Sequence, residues 1–200
     1  LRLVDPDTRY GAVHDALTAQ LVEGLSVPLH QFRTYPGETY PPDLAVVASS
    51  IQLHTRSTGT PHPELAPWLV RFTAQGIDPD SGLLFQSLNS ENGRPLDAPR
   101  GSGTAWASYF LGIAGLDLSN TIYRALERPR VAGFGAIREY PRGVGGLGDI
   151  DSGPVVFGVS VSATGFAVGP ARIHKDWTTY RANYATAHLF GVPAKHGFVS

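Results

Sequence analysis

Apolar residues return every three to four positions over several stretches of this chain, and that spacing predicts helices. The predicted segments are residues 10–25, 43–56, 63–75, 103–115, 118–128, 152–172 and 178–190. Leu44, Val47, Ala48 and Ile51 form one stripe, Trp68, Leu69 and Phe72 a second, and Leu118, Ile122 and Leu126 a third. Pro63 suits a first helical turn, while Gly24 and Gly115 suit C-terminal stops. Two segments read differently. The turn Asp78-Pro79-Asp80-Ser81-Gly82 leads into a strand candidate at 83–88. Residues 135–141 also read as extended, and Pro141 ends them.

These elements repeat. Each unit has a polar Gly/Pro-rich loop, an apolar helix, a more charged helix and an extended segment. The apolar helices are expected to start near Asp43, Gly103 and Ser152, a spacing of roughly 50–60 residues that marks an array of helical hairpins. The apolar helix would be inner and the charged one outer. If the hairpins curve into a ring, the loops 35–42, 97–102 and 139–151 all open at the same end. A mouth lined by their carboxylates, arginines and tyrosines is where a site would form.

Composition narrows the function. The 200 residues fit one domain, 1–200, that buries its own core without staples. A net charge of -1 with no basic cluster argues against nucleic acid and anionic membranes. The chain has no Cys, which excludes disulfides, zinc–thiolate sites and cysteine nucleophiles. It has no Met either, so a processed protein or a fragment of a longer chain is expected. The stretch SGPVVFGVSVSATGFAVGPA carries no charge over a membrane-spanning length, but its serines, threonine and glycines favour a buried helix in a soluble protein. Whether that protein is cytoplasmic or exported, and its oligomeric state, stay open.

Three stretches carry a family likeness: YPGETYPPDLAVVASSIQLH (35–54), APRGSGTAWASYFL (98–111) and IREYPRG with GDIDSGPVVFG (within 137–158). They resemble the linalool dehydratase/isomerase-like domain, an (α/α)6-toroid group. The resemblance spans about residues 34–172. It implies an all-α fold of antiparallel helical hairpins forming part or all of an (α/α)6 toroid, with short extended segments between hairpins and the site in a central funnel. Six-hairpin glycosidases and polysaccharide lyases share that toroid. The chain departs from the group in having fewer helices than the twelve of a full ring, and in lacking the cysteines associated with linalool chemistry.

The candidate chemistry lies in the loops. Asp43 and Asp151 either cap their helices or form an acid/base pair. Tyr40 and Tyr140 are expected to assist. Arg100 and Arg138 would orient substrate, or brace loops through ion pairs. Glu38, Glu139, Asp149 and Trp106 complete the substrate-binding set, with Trp106 stacking on a sugar or packing in the core. Asp149 and Asp151 lack the ligand series of a calcium loop, so no metal and no cofactor are expected. His14, His30, His54, His62, His174, His188 and His196 show no metal spacing and read as structural or surface. Gly143–Gly148 matches G-x-G-x-x-G without a strand–turn–helix around it. No G-x-S-x-G elbow occurs, so Ser102, Ser152 and Ser160 are poor nucleophiles. The expectation is carboxylate acid/base catalysis, lyase- or isomerase-like, on a small hydroxylated or unsaturated molecule. A glycan-cleaving hydrolase or lyase and a non-catalytic binding or scaffold module are the alternatives.

Overall fold

The computed structural model describes residues 2–131 and 134–190, and the backbone of two short strands beyond them. The described helices are α1 (Gly11–Gly24), α2 (Pro41–Thr58), α3 (Leu65–Gly76), α4 (Gly101–Ala114), α5 (Leu118–Ala125), α6 (Val161–Phe166), α7 (Val168–Ile173) and α8 (Trp177–Phe190). The strands are short: β1 (Glu38–Thr39), β2 (Leu88–Asn89), β3 (Val155–Val156), β4 (Val159–Ser160), β5 (Val192–Ala194) and β6 (Gly197–Val199), paired antiparallel in sequential twos. The all-α hairpin reading therefore holds.

Local chemistry sets the helix limits. Pro41 and Pro42 occupy the first turn of α2, where their missing N–H groups cost nothing. Gly59 and Gly115 end α2 and α4 in the left-handed conformation, each at φ 77°. The Leu44, Ala48 and Ile51 stripe is fully buried against Trp68 and Phe72 of α3, whose rings stack at 5.3 Å. Helix α4 is buried on nearly every face, and its glycine, alanine and serine positions let neighbours close in on all sides. It touches α2, α5, α6 and α7 and forms the centre of the array.

The repeat is regular. Helices α2, α4 and α6 begin at Pro41, Gly101 and Val161, sixty residues apart each time. The residue before each start, Tyr40, Arg100 or Ser160, has extended backbone. Helix α4 packs between α2 and α6; α3 backs α2, α5 backs α4, and α8 backs α6 and α7. Two threonines fasten the last two units. Thr104 Oγ1 accepts the Leu84 amide at 2.9 Å, and Thr164 Oγ1 accepts the Ile137 amide at 3.0 Å. Each hydroxyl also donates to the carbonyl four residues back, at Arg100 or Ser160.

The single helix expected over 152–172 is absent. The segment turns back on itself first: β3 and β4 form a hairpin with Val156 opposite Val159. Its two loop residues, Phe157 and Gly158, have φ of 52° and 81°, the left-handed pair that a two-residue hairpin loop requires. The helix after it is interrupted at Ala167. Pro170 has no N–H for the carbonyl four residues back, at Phe166, and its ring crowds that carbonyl. Among the described residues, no helix is long and apolar enough to cross a membrane. The extended segments are also slighter than expected. Within 83–88 there are bridges at Leu84 and Phe85, and β2 begins at Leu88; within 135–141 there are bridges at Ile137 and Arg138.

Candidate active site

The loops leading into the repeats meet at one end, around a cavity of about 220 Å³ open to solvent. Tyr35, Tyr40 and Asp43 come from the first loop and the start of α2. Ser102, Gly103 and Trp106 come from α4. Asp151 comes from the third loop, Phe166 from α6, and Gln86 from the extended segment before α4. The close approach of α2 and α4 depends on Gly103, where a Cβ would fall 2.7 Å from the Pro42 ring and 2.9 Å from Gln86 Oε1.

Asp43 and Asp151 are brought to the same cavity, as the paired-carboxylate reading needs. Neither is a helix cap. Asp43 is the third residue of α2, and the residue preceding that helix, Tyr40, makes no side-chain capping bond. Asp151 lies exposed in a turn ten residues before α6, where Ser160 is the cap, accepting the Ala163 amide at 3.0 Å. The missing helix at 152 is what removes Asp151 from a cap. Burial pushes the Asp43 carboxyl above its usual proton affinity, and the Asp151 charge adds to the shift. Tyr40 is pushed up to about 12 by burial and by the adjacent Glu38 carboxylate. It therefore stays protonated at neutral pH and can donate a hydrogen bond.

Aromatic rings form the walls. Tyr35 meets Tyr40 edge-on at 5.0 Å, and Trp106 meets Phe166 at 5.2 Å. Trp106 and Phe166 lie one sixty-residue period apart, on equivalent turns of α4 and α6. Phe166 was not among the residues expected from sequence, yet the period identifies it. Gln86 and Ser102 were also unexpected in this role. A polar residue inside the apolar run 83–88 is the signal that would have found Gln86; Ser102 has none beyond its loop. The Gln86 side chain is over nine-tenths buried, and its Oε1 has no hydrogen-bond partner among the described residues.

Several expected site residues serve the walls instead. Arg100 does not line the cavity. It is buried, donates to Asp149 at 2.5 Å and to Asp97, and lies 4.0 Å from Glu139. Asp149 closes its own loop by accepting the Asp151 and Ser152 amides at 3.0 Å each. Burial works to raise its pKa, but those amides and Arg100 outweigh it and hold the carboxylate low. Glu139 is fully buried behind the cavity, where it accepts from Ser102 at 2.5 Å. Burial raises its proton affinity despite that bond. Arg138 braces the β3–β4 hairpin by donating to the Phe157 carbonyl at 3.2 Å. Tyr140 is buried beneath the glycine loop: a Cβ on Gly146 would fall 2.3 Å from its ring, and Arg100 lies over that ring at 5.5 Å. Arg100, Arg138, Glu139, Asp149 and Tyr140 are thus frame residues, because their charges and rings find partners within the protein. Glu38 acts on the cavity through Tyr40.

The described histidines do not line this cavity. His54 bonds Asp15 at 2.9 Å and His62 at 3.0 Å, and His14 stands edge-on to it at 5.0 Å. His174 stacks on Tyr123 and bonds Ser119 at 2.9 Å. His196 lies outside the described residues. Among the described residues no group is arranged to hold a metal.

No family model and no curated protein matches the chain. A solved structure does: cellobiose 2-epimerase from Spirochaeta thermophila DSM 6192, at a TM-score of 0.54 and 14% identity, over 92% of this chain. The chain has the all-helical hairpin fold of part of an (α/α)6 toroid. It spans 55% of the length of that epimerase. The likeness is one of fold and does not single out the linalool dehydratase/isomerase-like group.

Proposed function

We propose that this toroid cavity is an active site for acid/base chemistry on a small carbohydrate, of isomerase or epimerase type. The observation that carries the reading is Asp43, a carboxylate with raised proton affinity facing an aromatic-walled cavity beside a second carboxylate. A general base works best when its pKa approaches the working pH, and burial moves Asp43 in that direction. Asp43 would take the proton from the carbon beside the carbonyl of an open-chain sugar. Tyr40, still protonated, would turn its one O–H from Glu38 to the oxygen that gains charge as that proton leaves. A proton delivered to the opposite face of that carbon completes an epimerisation; one delivered to the former carbonyl carbon, as the neighbouring hydroxyl loses its proton, completes an aldose–ketose isomerisation. Trp106, with Phe166 beside it, offers the flat apolar face on which sugar C–H groups pack. The epimerase likeness supports the carbohydrate class at the level of fold.

The test is deuterium wash-in. Disaccharides and monosaccharides incubated with the protein in D2O should gain deuterium at the carbon beside the carbonyl, read by NMR. Asp43→Asn should lower the rate by about 10²–10⁴-fold while circular dichroism stays unchanged. No incorporation into any sugar, or full activity of Asp43→Asn, overturns the reading. Two carboxylates in one cavity also support a second reading, glycan cleavage. New reducing ends released from an oligosaccharide, without wash-in, would favour it.

A further inference from the structure

We propose that the cavity selects a sugar carrying a protonated amine over neutral or acidic sugars. This rests on the reading of the cavity as a carbohydrate site and names which carbohydrate it takes. Among the described residues no Lys, Arg or His lines the cavity, while Asp43 and Asp151 both do. The two cations expected there, Arg100 and Arg138, are held away from it. Arg100 is neutralised by Asp97 and Asp149, and Arg138 is bound to the Phe157 carbonyl. Nothing in the described lining can therefore balance an anionic substrate.

The walls fit a cation in a second way. Tyr35, Tyr40, Trp106 and Phe166 present ring faces and edges around the same space. Aromatic faces attract ammonium groups through their quadrupole, most strongly when water is excluded. The third observation is Gln86. Its buried Oε1 accepts no hydrogen bond from the described residues, and an unpaired buried acceptor is costly. A ligand N–H or O–H entering the cavity would satisfy it. An ammonium group would also relieve the repulsion between Asp43 and Asp151.

The probes are glucosamine, glucose and glucuronate, titrated by NMR at low salt and at a pH where the amine is protonated. Glucosamine should bind about tenfold more tightly than glucose, and glucuronate more weakly than either. Added salt should weaken glucosamine alone. Asp151→Asn, at an exposed turn where folding is not at stake, should shrink the preference severalfold. Equal binding of glucose and glucosamine, or tighter binding of glucuronate, overturns this selectivity while the carbohydrate reading stands. No shift of cavity resonances with any of the three overturns both.

Discussion

Thr104 and Thr164, sixty residues apart, hold the same hydrogen bond in successive repeats. Each hydroxyl sits one turn into its helix and accepts the amide of a preceding extended segment, Leu84 for one and Ile137 for the other. Both threonines are buried, so the amides they pair with have no water to replace them. Valine keeps the shape and removes the acceptor. Thr104→Val and Thr164→Val should each cost about 1–3 kcal/mol, the penalty for an unsatisfied buried N–H. Urea unfolding measures it, and near-additivity in the double variant would mark the two as separate fasteners.

Arg100 is the clamp between the second and third loops. It is 5% exposed, whereas its partners Asp97 and Asp149 are 36% and 37% exposed, so solvent screens part of their attraction. Arg100→Met should destabilise by about 2–4 kcal/mol, toward the low side of the range for breaking a buried pair. Hydrogen exchange should rise first in residues 149–152, because Asp149 orders that turn. A loss confined to activity, with stability unchanged, would return Arg100 to the substrate.

Two glycines give a matched comparison. Gly103→Ala pushes a methyl group into Pro42 and Gln86, and should cost about 1–3 kcal/mol as α2 and α4 are forced apart. Gly145→Ala meets no described atom within 4 Å and should be within about 0.5 kcal/mol of the parent. Thermal melts of both variants check the pair. Equal melting temperatures would mean the helices separate without cost.

Glu139 makes stability depend on pH. Its folded pKa is raised by burial, so the folded state holds the proton more tightly than the unfolded chain. The resulting stability is full below the unfolded pKa and is lost as pH rises through the folded value. Glu139→Gln keeps the shape without the charge. It should flatten the decline above the ordinary glutamate range, as read by denaturation across pH. A steeper decline in the variant would contradict the burial argument.

The candidate site shows how far a linear pattern reaches. The sequence pointed to the three loops as one mouth, and Asp43, Asp151, Tyr40 and Trp106 all line the cavity there. That placement stems from the repeat of loops before helices, although the helix expected directly after Asp151 starts only at Val161. The burial of Glu139 was not legible, and for Arg100 the sequence left bracing and substrate binding side by side. Arg100 meets a carboxylate 49 residues away, and Ser102 meets Glu139 across 37. Charge type at a position says that a partner is needed, and leaves open whether that partner is protein or substrate.

The helix over 152–172 failed for a related reason. Its composition is apolar enough for a buried helix, but Phe157 and Gly158 turn the backbone left-handed, and Pro170 separates α6 from α7. By itself the sequence determined the helical periods, the glycine stop of α4 at Gly115, and the hairpin repeat. These depend on residues within a few turns of each other. Only the tertiary structure decided which polar groups face the cavity, and which are spent on one another. That choice depends on approach distances between segments far apart in the chain, where a charge buried within reach of its opposite is lost to any ligand.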